Sequence, residues 1–243
     1  IIERTVNLSQ QWQFQHWFEH FYRRVASFLE QTSIAFALVI LLLPTLFTYL
    51  LLELVEGFVF GLFSLILWVA ITLICLTCIR YRQLYKKYLL SVCHQDSQGS
   101  YHIAAQLLDV QSMKINDECM LATRVGRQLA WINYRYYCAV VLMIIIGGPV
   151  ALIFYTTLRT LDLMMFKQDI IGLKWVKKLL FVIDWLPSRV VGLAYVLVGN
   201  FSNAIGVWGS LCLNFALPAY DVVSKAAMAA EQISKSQPDQ YIT

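Results

Sequence analysis

The sequence predicts an all-α fold, that of a polytopic helical membrane protein with amphipathic and interfacial helices. Hydrophobic residues make up 59% of the chain and charged residues only 14%. Two apolar runs without any charge, 34–52 and 57–79, follow each other closely, and a third run, 138–158, is interrupted at Gly147-Gly148-Pro149. A helix of about 20 residues spans the hydrocarbon core and satisfies its own backbone polar groups, so these runs predict membrane helices.

Residues 12–30 are predicted to form an amphipathic helix at the membrane interface. Its apolar side chains recur at helical spacing: Phe14, Trp17, Phe18, Phe21, Val25, Phe28 and Leu29. The segment also spells H-x-x-E-H from His16 to His20, a pattern that supplies two zinc ligands in inverted zinc proteases. Because no third ligand is evident downstream, we interpret the histidines as a solvated face and expect no bound metal.

Residues 34–79 are predicted to form a transmembrane hairpin, with Pro44 bending the first span without breaking it. Basic residues flank both open ends, whereas the tip, 53–56, carries only Glu53 and Glu56. The positive-inside rule therefore places the tip outside the cell and both ends in the cytoplasm. Cys75 and Cys78 form a C-x-x-C inside the second span. Without a second pair at zinc spacing, we interpret them as packed or lipid-facing apolar residues.

Residues 80–137 are predicted to form a cytoplasmic helical segment. The second span should continue as a helix through residue 92, before a loop over 94–100, a short helix over 101–113 and a helix capped by Asn116. The basic residues are mixed with Tyr and Leu beside apolar spans, which predicts a bilayer with anionic headgroups as partner and no nucleic acid. The last helix carries Arg124, Arg127, Trp131 and Arg135, either as an anion-binding face or as a solvated one.

Residues 138–166 are predicted to form a broken apolar helix. A full crossing would place the following lysines outside, against the positive-inside rule, whereas two half-helices that re-enter at Gly147–Pro149 would keep them inside. We therefore expect a re-entrant broken helix, with Pro149 in the first turn of its second half. Tyr155, Arg159 and Asp162 then fall on one face, where Arg159 and Asp162 are spaced to pair.

Residues 173–236 are predicted to form basic and interfacial helices. A basic helix should end at Pro187, and 190–199 is apolar but too short to cross a bilayer. An alanine-rich amphipathic helix is expected over 220–234. The whole chain, 1–243, is predicted to be a single integral membrane domain, and its oligomeric state is not indicated by any pattern.

Three stretches, 3–25, 128–137 and 182–199, resemble the AmpE family, inner-membrane proteins encoded beside the AmpD amidase in Gram-negative bacteria. The resemblance runs from Glu3 to about Ala230. It implies a multi-pass protein of the bacterial inner membrane with the hairpin tip in the periplasm, an apolar segment before Ile1 and a further transmembrane helix after Thr243. It also implies a regulatory role linked to β-lactamase induction, the antibiotic response and peptidoglycan-recycling signals.

Two stretches, 147–162 and 183–189, also resemble the CbiB/CobD synthases of the same superfamily, which form an amide bond on a corrinoid acid. Asp162, Asp184 and Arg189 belong to the shared pattern. The synthases carry an acidic cluster before the Gly-Gly turn, where this chain has only the uncharged residues of 128–134 and Arg135. Acids that would hold Mg²⁺ at a nucleotide are absent there, so we expect neither synthase activity nor a cofactor.

The favoured hypothesis is a non-enzymatic regulator or sensor that binds a ligand or partner on its cytoplasmic face. The partner would be an envelope or peptidoglycan-recycling protein. One alternative is a divergent CbiB-like, ATP-dependent amide-forming membrane enzyme, and another is a scaffold subunit of an envelope complex. The candidate ligand- or partner-binding residues are Trp131, Asn133, Arg135, Tyr155, Arg159, Asp162, Asp184 and Arg189.

Overall fold

A computed structural model describes residues 14–27, 34–56, 61–76, 78–108, 118–168 and 174–231, and within these ranges the chain is helical with no strand. The helices are α1 (Phe14–Ala26), α2 (Ile34–Val55), α3 (Leu62–Leu76), α4 (Ile79–Cys93), α5 (Ser97–Leu107), α6 (Glu118–Asn133), α7 (Ala139–Gln168), α8 (Lys174–Val198), α9 (Phe201–Leu213) and α10 (Ala219–Ala230), with a π-helical turn at Tyr134–Cys138. They cluster into two compact units: unit 1 is Ile1–Thr77 with Tyr136–Asp184, and unit 2 is Cys78–Arg135 with Trp185–Thr243.

Unit 1 contains the predicted hairpin, α2 and α3, with α7 packed along both helices and α1 against α2 and α7. Its core is formed by apolar side chains that are fully buried, including Phe36, Ile40, Leu152, Leu158 and Leu161. The outward faces of α2 and α3 expose leucines, phenylalanines and valines. Apolar surface of this extent suits lipid rather than water.

By length and composition, three helical stretches are apolar enough to cross a membrane: Ala35–Val55, Met120–Met164 and Lys174–Val198. A fourth is obtained if Leu62–Leu76 and Ile79–Cys93 together make one span. The prediction of a multi-pass helical membrane protein is therefore confirmed. Lys174–Val198 was not predicted to cross.

Pro44 lies inside α2, which runs through it without interruption, as predicted. Proline has no N–H for the carbonyl four residues earlier, and its ring crowds the preceding turn. The Thr45 hydroxyl donates to the Leu41 carbonyl oxygen at 2.7 Å, and the Thr48 hydroxyl donates to that of Pro44 at 2.8 Å. These side-chain bonds add donors to carbonyls next to the proline, whereas the carbonyl that loses its backbone donor is that of Ile40.

The second predicted span is not one continuous helix, because α3 ends at Leu76 and α4 begins at Ile79. Between them Cys78 has non-helical angles, φ −135° and ψ 35°. Hydropathy depends on side-chain polarity and does not depend on the backbone angles of a single residue. The apolar run therefore did not predict this break. Cys75 and Cys78 are both buried, which confirms that they are packed apolar residues.

The predicted break in the third apolar run is confirmed within α7. Gly147 (φ −146°, ψ 19°) and Gly148 (φ 64°, ψ −158°) leave the helical region, and Pro149 begins the second half. Gly148 takes up backbone angles that are open almost only to glycine. Trp68 of α3 covers this glycine, since a Cβ there would lie 3.2 Å from the Trp68 ring. Whether the two halves cross or re-enter stays a prediction.

Unit 2 is built around α10, which packs on α6 and α9, while α5 packs on α4 and α6. The residues of α10 that are buried are small, among them Val222, Val223, Ala226 and Ala230. Small side chains let neighbouring helices approach closely. On α8, Gly192 leaves space for Trp208 of α9, whose indole N–H donates to the Arg189 carbonyl oxygen at 3.1 Å.

The predicted helix end at Pro187 is wrong, because α8 runs through it for 25 residues. The Trp185 carbonyl oxygen accepts from the Ser188 hydroxyl at 2.9 Å and from Arg189 at 3.0 Å. These bonds lie beside the proline and do not replace its missing donor, which would have bonded the Ile183 carbonyl four residues earlier. Residues 190–199 are therefore not a separate short element.

Smaller differences concern helix ends in unit 2. The loop predicted over 94–100 ends early, because Asp96 accepts from the Gly99 N–H at 2.9 Å and α5 begins at Ser97. Helix α9 was not predicted, although Asn200 caps it by accepting from the Asn203 N–H at 3.3 Å. Asn116, the predicted cap of α6, lies outside the described residues.

Candidate functional site

The eight sequence-predicted binding residues divide equally between the two units. Unit 2 contains Trp131, Asn133, Arg135 and Arg189, whereas unit 1 contains Tyr155, Arg159, Asp162 and Asp184. The sequence treated these residues as one group. The structure supports describing them as two.

In unit 1, the pairing of Tyr155 with Asp184 joins α7 to α8. The Tyr155 hydroxyl donates to Asp184 Oδ1 at 2.9 Å, and both side chains are buried. A buried carboxylate requires hydrogen-bond donors because it has lost water. Asp184 therefore has a structural partner on α7, which was not predicted from their 29-residue separation.

Arg159 is the second buried polar group of unit 1. Its guanidinium lies 4.2 Å from the centre of the Tyr136 ring and 5.9 Å from that of Tyr155. A cation over an aromatic face is stabilised by the ring quadrupole, most strongly where water is excluded. Tyr136 was not among the predicted candidate residues, although it lies in the stretch 128–137 that resembles the family. Asp162 is half-buried.

Three buried threonines, Thr156, Thr157 and Thr160, lie on α7 near Tyr155 and Arg159 in the sequence. Thr156 and Thr160 donate to the carbonyl oxygens of Leu152 and Thr156, at 2.8 and 2.7 Å. Thr157 is fully buried, and its hydroxyl finds no hydrogen-bond partner among the described residues. Two of the three threonine hydroxyls are thus hydrogen-bonded within α7.

Replacing Tyr155 with phenylalanine should lower the free energy of unfolding by about 1–3 kcal/mol, because Asp184 then loses a donor in a buried site. The matched control is Tyr49→Phe, in which the lost bond also runs to a carboxylate, Glu53 Oε1 at 2.8 Å, but is exposed. That change should cost less than about 0.5 kcal/mol. Denaturation of both variants in detergent micelles measures the difference, and equal losses would contradict a special role for the buried pair.

In unit 2, an aromatic cluster surrounds the π-helical turn. Trp131 stacks on Tyr134 at 5.2 Å between ring centres and meets the edge of Tyr220 at 5.6 Å. The Arg135 guanidinium lies 5.6 Å from the Trp131 ring, and Tyr134 and Arg135 are buried. π-Helical turns are rare and occur frequently at functional sites. The sequence indicated the aromatic residues but not this turn.

Beside this cluster lie two exposed arginines of α6, Arg124 and Arg127. Burial raises the pKa of Tyr220, which Asp221 also raises, whereas the positive charges of Arg127 and Arg124 oppose the rise. Of the two arginines, Arg127 has the larger effect. We call the residues Arg124, Arg127, Trp131 and Tyr220 the α6–α10 surface.

The two arginines of the α6–α10 surface form no ion pair with any carboxylate in the described part of the chain. Guanidinium groups bind carboxylate and phosphate through paired N–H donors, and aromatic rings beside them add apolar contact. The surface has the composition of an anion-binding site that is open to solvent. Asn133 is also exposed on α6.

Arg189, by contrast, is 4% exposed. Its terminal nitrogens donate to the carbonyl oxygens of Trp185 (3.0 Å), Asn214 (3.0 Å) and Leu217 (3.5 Å) and to the Ser188 hydroxyl (3.1 Å). Arg189 therefore ties α8 to the connection between α9 and α10.

The H-x-x-E-H pattern lies on α1. Glu19 approaches Arg23 to 4.0 Å, and His20 is exposed, whereas the side chain of His16 lies outside the description. Among the described residues, no three His, Cys, Asp or Glu side chains are grouped as metal ligands.

The sequence model of the family described as "Regulatory signalling modulator protein AmpE" matches residues 1–237. Protein AmpE of Shigella flexneri is 29% identical over 234 residues, which cover 93% of this chain and 81% of that protein. No solved structure matches the chain.

Proposed function

This chain belongs to the AmpE family of regulatory membrane proteins, and we propose that it regulates by binding a negatively charged ligand or partner without converting it. The α6–α10 surface would make this contact, on the cytoplasmic side of the bacterial inner membrane. The process regulated would be β-lactamase induction in response to peptidoglycan recycling. The bound group would be a peptidoglycan-recycling partner or an anionic ligand that reports on recycling.

The observation that carries this proposal is the pair of exposed arginines beside Trp131 and Tyr220. Exposed guanidiniums without a carboxylate partner in the described ranges are available to an incoming anion. Trp131 is half-buried against Tyr134 and Tyr220, so its position is set before any ligand arrives. Preformed aromatic contacts reduce the entropy lost on binding.

The charge distribution supports a cytoplasmic location for this surface. The tip between α2 and α3 carries Glu53 and Glu56, whereas exposed basic residues lie on α4 and α6 in unit 2. Positive charge is retained on the cytoplasmic side of bacterial membranes, where anionic headgroups also attract it.

A complementation experiment tests the regulatory role. A Gram-negative host with inducible β-lactamase would lose its own AmpE-family gene and receive either this chain or its Arg124→Gln/Arg127→Gln variant. We expect the native chain to change β-lactamase activity after a β-lactam challenge. The double variant should lose most of that effect, because two guanidinium contacts to an anion contribute several kcal/mol.

The matched control is Lys86→Gln/Lys87→Gln, which removes the same charge from exposed positions on α4. It should leave induction as in the native chain, with all three proteins present in membranes at equal levels. The proposal fails if the native chain has no effect on induction. It also fails if both double variants behave alike.

A further inference from the structure

A buried cation in unit 2 lacks the counter-charge that its environment demands. Arg189 is 4% exposed, and within the described ranges it meets carbonyl oxygens and a hydroxyl but no carboxylate. Burying a charge without an opposite charge is costly, even where dipoles solvate it.

Two buried N–H donors have no acceptor in the described part of unit 2, and one of them belongs to this guanidinium. They are Arg189 Nε, the only nitrogen of that guanidinium without a bond, and Trp185 Nε1. The residues lie one helical turn apart on α8, and the guanidinium is 4.6 Å from the centre of the Trp185 ring. Buried donors in folded proteins are nearly always bonded to protein, water or a ligand, so these two donors are available to an acceptor.

The donors themselves are buried, but apolar side chains next to them are exposed. Phe215 stacks flat on Trp185, with 5.2 Å between ring centres and 5° between planes, and 67% of its surface is exposed. Leu186 and Val190, which flank the two donor residues on α8, are 53% and 46% exposed. Phe215 thus covers one face of the Trp185 ring while most of its own surface remains exposed.

We propose that this position binds an anionic membrane lipid. An oxygen of the headgroup accepts from Arg189 Nε and Trp185 Nε1, and the acyl chain lies along Leu186, Val190 and Phe215. The headgroup supplies the negative charge that Arg189 lacks, and the chain covers apolar surface that faces the bilayer. This lipid site is distinct from the α6–α10 surface and does not depend on a role in induction.

The full chain in detergent micelles can be titrated with phosphatidylglycerol, phosphatidylcholine and inorganic phosphate, with native mass spectrometry as the readout of bound molecules. We expect phosphatidylglycerol to bind at least about tenfold more tightly than phosphatidylcholine, because the choline cation of the latter cancels the phosphate charge that Arg189 requires. Inorganic phosphate should not bind detectably at the same concentrations, because it lacks the acyl chain. Tight phosphate binding would overturn the assignment to a lipid.

Trp185→Phe is the decisive variant, because it removes the indole N–H and one ring of the indole but leaves an aromatic ring beside Phe215. It should weaken phosphatidylglycerol binding by about tenfold. Arg189→Gln should remove the preference for the anionic lipid, although its lost bonds to Asn214 and Leu217 also loosen the α9–α10 connection. For this reason the conclusion rests on Trp185→Phe, whose fold is checked by its helical circular dichroism.

Lys225→Gln is the matched control for charge, since it removes one exposed positive charge from α10 of the same unit. It should bind phosphatidylglycerol like the native chain. Native-like binding by Trp185→Phe, or equal weakening by Lys225→Gln, would show a nonspecific attraction to charge and overturn the site.

Discussion

Replacing Gly199 with alanine is expected to destabilise unit 2 strongly. Gly199 lies between α8 and α9, where a Cβ would be 2.6 Å from both the carbonyl oxygen and the Cβ of Ala230. The same carbonyl accepts from the Asn200 N–H at 2.8 Å. A backbone hydrogen bond therefore fixes the distance between the two segments at this point. Because neither partner is a flexible side chain, we expect a loss of about 3 kcal/mol in the free energy of unfolding.

Gly206→Ala is the matched control, since Gly206 lies inside α9 and a Cβ there meets nothing within 4 Å. It should stabilise the protein by about 0.5–1 kcal/mol, because alanine favours the helix over glycine. Denaturation of both variants in detergent, followed by circular dichroism, measures the two effects. Similar stability of the two proteins would mean that α10 does not approach Gly199 as described.

Replacing Gly148 with alanine should destabilise unit 1, because two costs combine at the break in α7. Its φ of 64° with ψ of −158° lies in a region that side chains almost never adopt, at a cost of about 1–3 kcal/mol. A Cβ would also lie 3.2 Å from the Trp68 ring, so the indole must shift. We expect a total loss of about 2–4 kcal/mol in the free energy of unfolding.

Two further variants separate these costs. Gly61 also has a positive φ, 82°, but a Cβ there meets nothing within 4 Å, so Gly61→Ala reports strain alone. Adding Trp68→Leu to Gly148→Ala should recover the part of the loss that arises from the crowded indole. Full stability of Gly148→Ala would show that the helix is not broken at this residue.

Much of the membrane architecture was predictable, because it depends on the composition of long runs. The limits of α2 differ little from those of the predicted span, and Pro44 lies inside it as expected. The resemblance stated from three motifs holds over residues 1–237. The break at Gly147-Gly148 was visible because glycine and proline report directly on backbone conformation.

The errors arose where the residue type does not decide the backbone conformation. Pro187 was predicted to end a helix, but α8 continues through it. Cys78 interrupts an apolar run that contains no glycine or proline at that point. In both cases the conformation in the folded chain differs from the one that the local pattern favours.

The candidate site shows the same division between chemistry and geometry. From the sequence, Tyr155, Asp184 and Arg189 were predicted as candidate ligand- or partner-binding residues. The sequence did not indicate that the Tyr155 hydroxyl donates to Asp184. Nor did it indicate that a terminal nitrogen of Arg189 donates to the Asn214 carbonyl oxygen. Partners far apart along the chain become visible only when helices pack.

The sequence by itself determined the class of the protein, its membrane runs and its family, because hydropathy, charge and motifs are local properties. Only the tertiary structure decided which polar side chains are buried together and which remain open. Arg124 and Arg127 stay exposed beside Tyr220, whereas Arg189 lies buried among carbonyl oxygens. Arginines that look alike in the sequence thus differ in their available donors, because burial and hydrogen bonding depend on packing across the chain.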